Sequence, residues 1–149
     1  MSCTNGKSAV AAFWPTWQAL RVNPRSIEAL NDRGQIRQEL GDFDAAVADY
    51  SAAIAIDPTT YEAYNNRASL RSLRKDWDGA LSDVDQALAL RSYEPEPYAI
   101  RARVRQAKGY VDGAIDDCNA ALRVAPAGWR YRKNVESMLE SLRKQKAGR

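Results

Sequence analysis

The chain of 149 residues contains no histidine, which removes histidine-based triads, histidine metal sites and the usual proton shuttle at neutral pH. What remains for acid–base work is paired carboxylates, Asp76-Trp77-Asp78 and Asp116-Asp117. These fall at helix starts or on wet helix faces, where the helix dipole accounts for acids in a first turn. No base, nucleophile or metal-ligand cluster accompanies them. Asn5-Gly6-Lys7-Ser8 has the ending of a phosphate-binding loop, but that loop needs a glycine where Met1 stands and must follow a strand. Two cysteines, Cys3 and Cys118, cannot build a disulfide framework. Cys118 shares an apolar column with Tyr50 and Val84 and reads as core. An enzyme is not expected, and neither a metal nor a cofactor is implied.

One charged pattern does recur. Arg33, Arg67 and Arg101 stand 34 residues apart, and Asp49, Asp83 and Asp117 follow each of them by 16. With 16 Arg against 6 Lys, the positive charge is of the kind whose planar fork suits a carboxylate. Arg33–Asp49, Arg67–Asp83 and Arg101–Asp117 are therefore expected to be ion pairs joining two helices. The net charge of +3 is too mild to imply nucleic acid. The basic end, Arg143–Arg149, reads as a solvated helix terminus, and no apolar run approaches a membrane span.

The elements that must position these residues share the same interval. Ala46/Ala80/Ala114 and Ala53/Ala87/Ala121 hold it without slippage, and Gly41/Lys75/Gly109 hold it more loosely. A fixed period in this range marks stacked supersecondary units, none able to bury its apolar face alone. The spacing predicts paired helices: 27–40 and 43–56, 61–73 and 77–90, 95–107 and 110–124. Gly41-Asp42, Asp57-Pro58, Lys75-Asp76, Gly109 and Pro126-Ala127-Gly128 separate them. Each second helix carries apolar residues at helical spacing, as in Val47, Tyr50, Ala53 and Ile54. Nothing reads as a strand, so the expected class is all-α. The ends differ from the middle. Ala9–Val22 reads as the second helix of an incomplete unit, kinked or late-starting at Pro15, with residues 1–7 disordered. Trp129–Lys146 reads as a solitary final helix.

The first helices carry Leu30 and Gly34, Tyr64 and Ala68, Tyr98 and Ala102. The second helices carry Ala46, Tyr50, Ala53 and Pro58; then Ala80, Val84 and Ala87; then Ala114, Cys118, Ala121 and Pro126. This large-then-small, small-x3-large pattern resembles the tetratricopeptide repeat. The resemblance covers residues 27–128, as repeats 27–60, 61–94 and 95–128. Before them stands a degenerate half repeat at 8–24 and after them a capping helix at 129–146, in a single domain 1–149. It implies a right-handed α-α superhelix. The chain departs from the signature at Arg33, Arg67 and Arg101, in a leucine slot, and at Arg37, Arg71 and Arg105, in a tyrosine slot. Ser92 replaces the closing proline, and Lys75 the glycine, of the middle unit.

In that family the first helices line the concave face. Here the stripe holds Asn31, Gln35 and Gln38; then Asn65, Ser69 and Ser72; then Ala99, Arg103 and Gln106. The resemblance adds Asn66. Amides both donate and accept, so they can serve a peptide backbone with little regard to its sequence. The partner implied is a protein or peptide segment, with no nucleic acid and no membrane. Carried onto this chain, the family's clamp for acidic chaperone tails falls on Asn31, Gln35, Asn66, Glu96 and Ile100. Only Asn66 matches, and Glu96 has the wrong sign. Trp14 and Trp17 beside an incomplete N-terminal unit point to self-association or docking onto a larger protein as the alternative. The compartment reads as cytoplasmic, or periplasmic or secreted if a signal peptide once preceded the chain.

Overall fold

The structure, a computed structural model, describes the backbone of residues 5–148 and side chains from Phe13 to Gly148. Cys3 and the first four positions, part of the segment expected to be disordered, lie outside the described residues. The described residues form eight helices and no strand. These are α1 Asn5–Val22, α2 Ile27–Glu39, α3 Phe43–Ile56, α4 Tyr61–Leu73, α5 Trp77–Leu90, α6 Pro95–Ala107, α7 Val111–Val124 and α8 Arg132–Ala147. They group into two compact units, Met1–Leu70 and Arg71–Arg149, with the division inside α4.

Punctuation residues set the helix ends. Ser26 caps α2 by accepting from the Ala29 amide, and Asp42 and Asp76 cap α3 and α5 by accepting from Ala45 and Gly79. Pro95 opens α6 at a position where no amide is needed. The turns between paired helices need a left-handed residue, and Gly41, Lys75 and Gly109 supply it at φ 84°, 63° and 81°. Lys75 adopts there a backbone that disfavours a side chain.

In the first unit α1 packs on α2 and α2 on α3. Leu20, Ala29, Leu30, Ala53 and Ala63 form one buried cluster, and Ala46, Tyr50 and Leu70 another. Gly34 is small for a reason. A Cβ there would stand 2.5 Å from the Tyr50 ring, which is fully buried. In the second unit α5 packs on α6, α6 on α7 and α7 on α8. Ala102, Ala114, Cys118, Ala121, Val135, Leu139 and Leu142 make up most of its core. The repeating alanines at 46, 53, 80, 87, 114 and 121 are all fully buried, as helix axes that close up require.

Both ends differ from expectation. α1 neither breaks nor starts at Pro15, and Asn5–Lys7 already belong to it. The last helix begins at Arg132 rather than Trp129. Trp129 instead turns inward, where it is buried and its Nε1 donates to Glu96 at 2.7 Å.

Candidate functional site

The arginine–aspartate pattern forms a cage. Asp49 on α3 is 2% exposed and accepts from Arg33 through Nε (3.0 Å) and Nη2 (2.7 Å). Asp117 on α7 is equally buried and receives both the Nε and Nη2 of Arg101, the latter at 2.8 Å. A second arginine, one turn later on the same first helix, closes each cage. Arg37 donates to Asp49 at 2.7 Å, Arg71 to Asp83 at 2.9 Å and Arg105 to Asp117 at 2.8 Å. Each of these also reaches a backbone carbonyl, of Ala45, Gly79 or Gly113. The sequence shows Arg37, Arg71 and Arg105 only as residues out of place. Their common 12-residue interval to the aspartates was the signal that could have found them.

The first arginine column also reaches backward by 16 residues. Arg33 lies over the Trp17 ring at 5.5 Å, Arg67 donates to Ser51 at 2.8 Å, and Arg101 meets Asp85 at 3.4 Å. These contacts tie each first helix to the helix that precedes it. They account for the arginines structurally. The basic end is likewise engaged, with Lys144 on Glu140 at 2.7 Å and Lys146 on Asp112 at 2.6 Å.

The polar stripe behaves differently in each unit. In the first, Asn66 on α4 donates to Asn31 on α2 at 3.1 Å, so two of the proposed residues meet. Gln38 accepts from the Tyr50 hydroxyl at 3.2 Å and so supports the core. Gln35 is exposed, and Asn65 and Ser69 are half-buried. The Asn65 side-chain oxygen is closed off from solvent with no hydrogen-bond partner. In the second unit Arg103 Nε donates at 3.0 Å to Ser72, which is 3% exposed. Arg103 Nη2 is shut off from solvent and has no partner. Gln106 is half-buried one turn on.

Two arginines of α6 thus differ in sign. Burial works against the charge of Arg101, but the hydrogen bonds and charge of Asp117, with Asp85, raise its pKa. Arg103 is lowered by burial with nothing to oppose it. The Cys118 thiol is pushed up to about 11 by burial and then by Asp117, which keeps it protonated and unreactive. Among the described residues there is no metal-ligand cluster, and no helix is long and apolar enough to cross a membrane.

Residues 34–71 match the family described as TPR repeat. No curated protein matches the sequence. Several solved structures are similar in fold. The first TPR of Spaghetti (RPAP3), bound to the HSP90 peptide SRMEEVD, has a TM-score of 0.74 at 24% identity over 81% of this chain and 93% of that one. The Yersinia enterocolitica type III secretion chaperone SycD, in complex with a peptide of the translocator YopD, has a TM-score of 0.76 at 18% identity over 81% and 95%. The MamA protein has a TM-score of 0.73 at 19% identity over 93% and 79%. Period, helix pairing and fold likeness agree: the chain has the fold of tetratricopeptide-repeat proteins, and residues 34–71 match the repeat itself.

Proposed function

We propose that this chain is a non-enzymatic interaction module that binds a peptide or protein segment along the polar stripe of its first helices. The observation that carries the reading is that this stripe keeps polar atoms short of partners. Asn65 Oδ1 and Arg103 Nη2 are both closed off and unbonded. A buried polar group without a partner costs roughly 1–3 kcal/mol, and turning either side chain outward onto a bound segment with amides and carbonyls of its own recovers part of that. The peptides held by RPAP3 and SycD support the reading, since they show what such folds accommodate. The mechanism is recognition alone, with Asn31, Gln35, Asn65, Asn66, Ser69, Arg103 and Gln106 making contacts and Gln38 bracing the wall. The chaperone-tail clamp is not part of it. Glu96 is held by Trp129 and Ile100 is buried, which leaves no cation at either slot.

Selection from a random displayed-peptide library against the full chain tests this. Enriched peptides should lose binding to an Asn31→Ala/Asn65→Ala/Arg103→Ala variant. Absence of any enrichment, or binding that survives the variant, overturns the reading.

A second reading rests on Trp14 and Val22, which are 67% and 88% exposed on α1. An apolar end of this kind would dock a second copy or a larger protein. Sedimentation equilibrium at high concentration decides, and a strict monomer removes self-association.

A further inference from the structure

The second unit holds an arginine whose charge no acid among the described residues answers. Arg103 leaves α6 between Arg101 and Arg105, on the other face of the helix from their shared Asp117. The acids of the neighbouring α5 and of α6 itself are committed elsewhere. Asp83 is on Arg71, Asp85 on Arg101, and Glu96 takes the Trp129 indole. Ser72 is almost fully buried and holds Nε. A hydroxyl fixes the direction of the guanidinium but cannot neutralise it. Nη2 is shut off from solvent, so Nη1 is the donor left toward the surface, its direction fixed by the Ser72 bond, and the side chain is still partly open to solvent. An arginine held in place without a counterion costs the fold stability. The same arrangement suits capture of an anion, because a carboxylate brings both the charge and the acceptor oxygens that are missing.

We propose that Arg103, steadied by Ser72, is the anchor of a carboxylate subsite, and that the segment bound by this chain places an acidic group against it. The inference rests on the stripe being the binding surface, and it adds the chemistry of the partner. The carboxylate belongs to an aspartate or glutamate side chain or to the segment's C-terminus. Gln106, one turn further on, is placed to bond the backbone beside it. The slot two periods earlier, in the first unit, is Gln35, so charge recognition belongs to the second unit alone.

The test uses peptides enriched from the random library on the full chain, resynthesised in three forms: unmodified, with each acid changed to its amide, and with the C-terminus amidated. One of the two neutralised forms should bind roughly tenfold more weakly than the parent, as expected when a charge-assisted hydrogen bond is lost. Whichever form it is identifies the source of the carboxylate. On an Arg103→Gln variant, which installs the first unit's residue, parent and neutralised forms should bind equally. Arg103→Lys should recover part of the difference. Thermal unfolding of Arg103→Gln should match or exceed that of the parent chain, which separates loss of binding from loss of fold. Enriched peptides that bind through Asn31 and Asn65 but ignore both Arg103 and their own acids overturn this proposal and leave the groove standing. A library that yields no binder overturns both.

Discussion

The two units carry the same helix order two periods apart, and their differences separate what holds the helices together from what the fold leaves open. Asp49 and Asp117 stand 68 residues apart in the sequence, are both 2% exposed, and are both gripped by two arginines at nearly the same distances. Where the units agree, the residue holds helices together. Gln35 and Arg103 occupy matching slots and share nothing. One is an exposed amide, and the other is a braced cation without a counterion. Where the units disagree on the polar stripe, the fold does not dictate the residue.

The strongest way to break this comparison is to remove the shared acid. Asp117→Ala leaves Arg105 partly buried with no counter-charge and Arg101 with only the exposed Asp85, and breaking a buried pair from one side costs about 3–5 kcal/mol. Asp49→Ala should cost a similar amount in the first unit. Urea denaturation of both variants checks it. A loss under about 1 kcal/mol in either would show that its cage behaves as an exposed ion pair.

Next in size is a place where the units agree in architecture but not in volume. Gly34 faces Tyr50, whereas the matching residues in the second unit are Ala102 and Cys118. The small first-helix residue shrinks as its neighbour grows. Gly34→Ala should therefore destabilise by about 1–3 kcal/mol through overpacking, despite alanine's better helix propensity. The same change with Tyr50→Val should cost less than the sum of the two single changes. Additive effects would show that the Tyr50 ring can move aside.

Much of this was legible beforehand, and the exceptions have a common cause. The bounds of α3, α4, α5 and α6 coincide with those read from Gly, Pro and Asp punctuation, because these residues act on their own backbone and need no tertiary context. The alanine columns were equally clear. The second arginine of each cage was not, since a long cation in an unfamiliar slot shows its partner only when two helices are brought together. Gln38 was read as lining because its spacing fits the stripe, whereas the Tyr50 hydroxyl, a tertiary neighbour, ties it down. Trp129 was read as helical from its apolar surroundings and turned inward to reach Glu96.

A smaller effect of opposite sign comes from the turns. Gly41 and Gly109 take their left-handed backbone freely, while Lys75 takes the same conformation with a side chain attached. Lys75→Gly should stabilise by about 1 kcal/mol, the approximate cost of that conformation for an L residue, less a little for the added freedom of the unfolded chain. Gly41→Lys should lose a similar amount. A rise in melting temperature for Lys75→Gly, set against a fall for Gly41→Lys, is the expected pair of results, and a fall in both would mean that the Lys75 side chain makes up for its backbone.

The smallest effect lies at the end of α3, where the first unit has a carboxylate and the matching positions, Arg91 and Ala125, do not. The side chain and then the backbone amide of Thr59 hold the Asp57 carboxyl below its ordinary value, through bonds of 2.7 Å and 2.8 Å to one oxygen. A carboxyl lowered by folding adds stability that is complete above its unfolded pKa and is lost as pH falls through the folded one. The turn after α3 should therefore loosen in acid before the corresponding turns of the second unit do. Thr59→Val removes the hydroxyl and keeps the amide, so the Asp57 titration followed by NMR should move part of the way back up. No movement would mean that the backbone amide alone sets the shift. Because Asp57 lies at the surface and is only partly buried, the change should be plain in its own titration and barely visible in the melting temperature, unlike the cage aspartates.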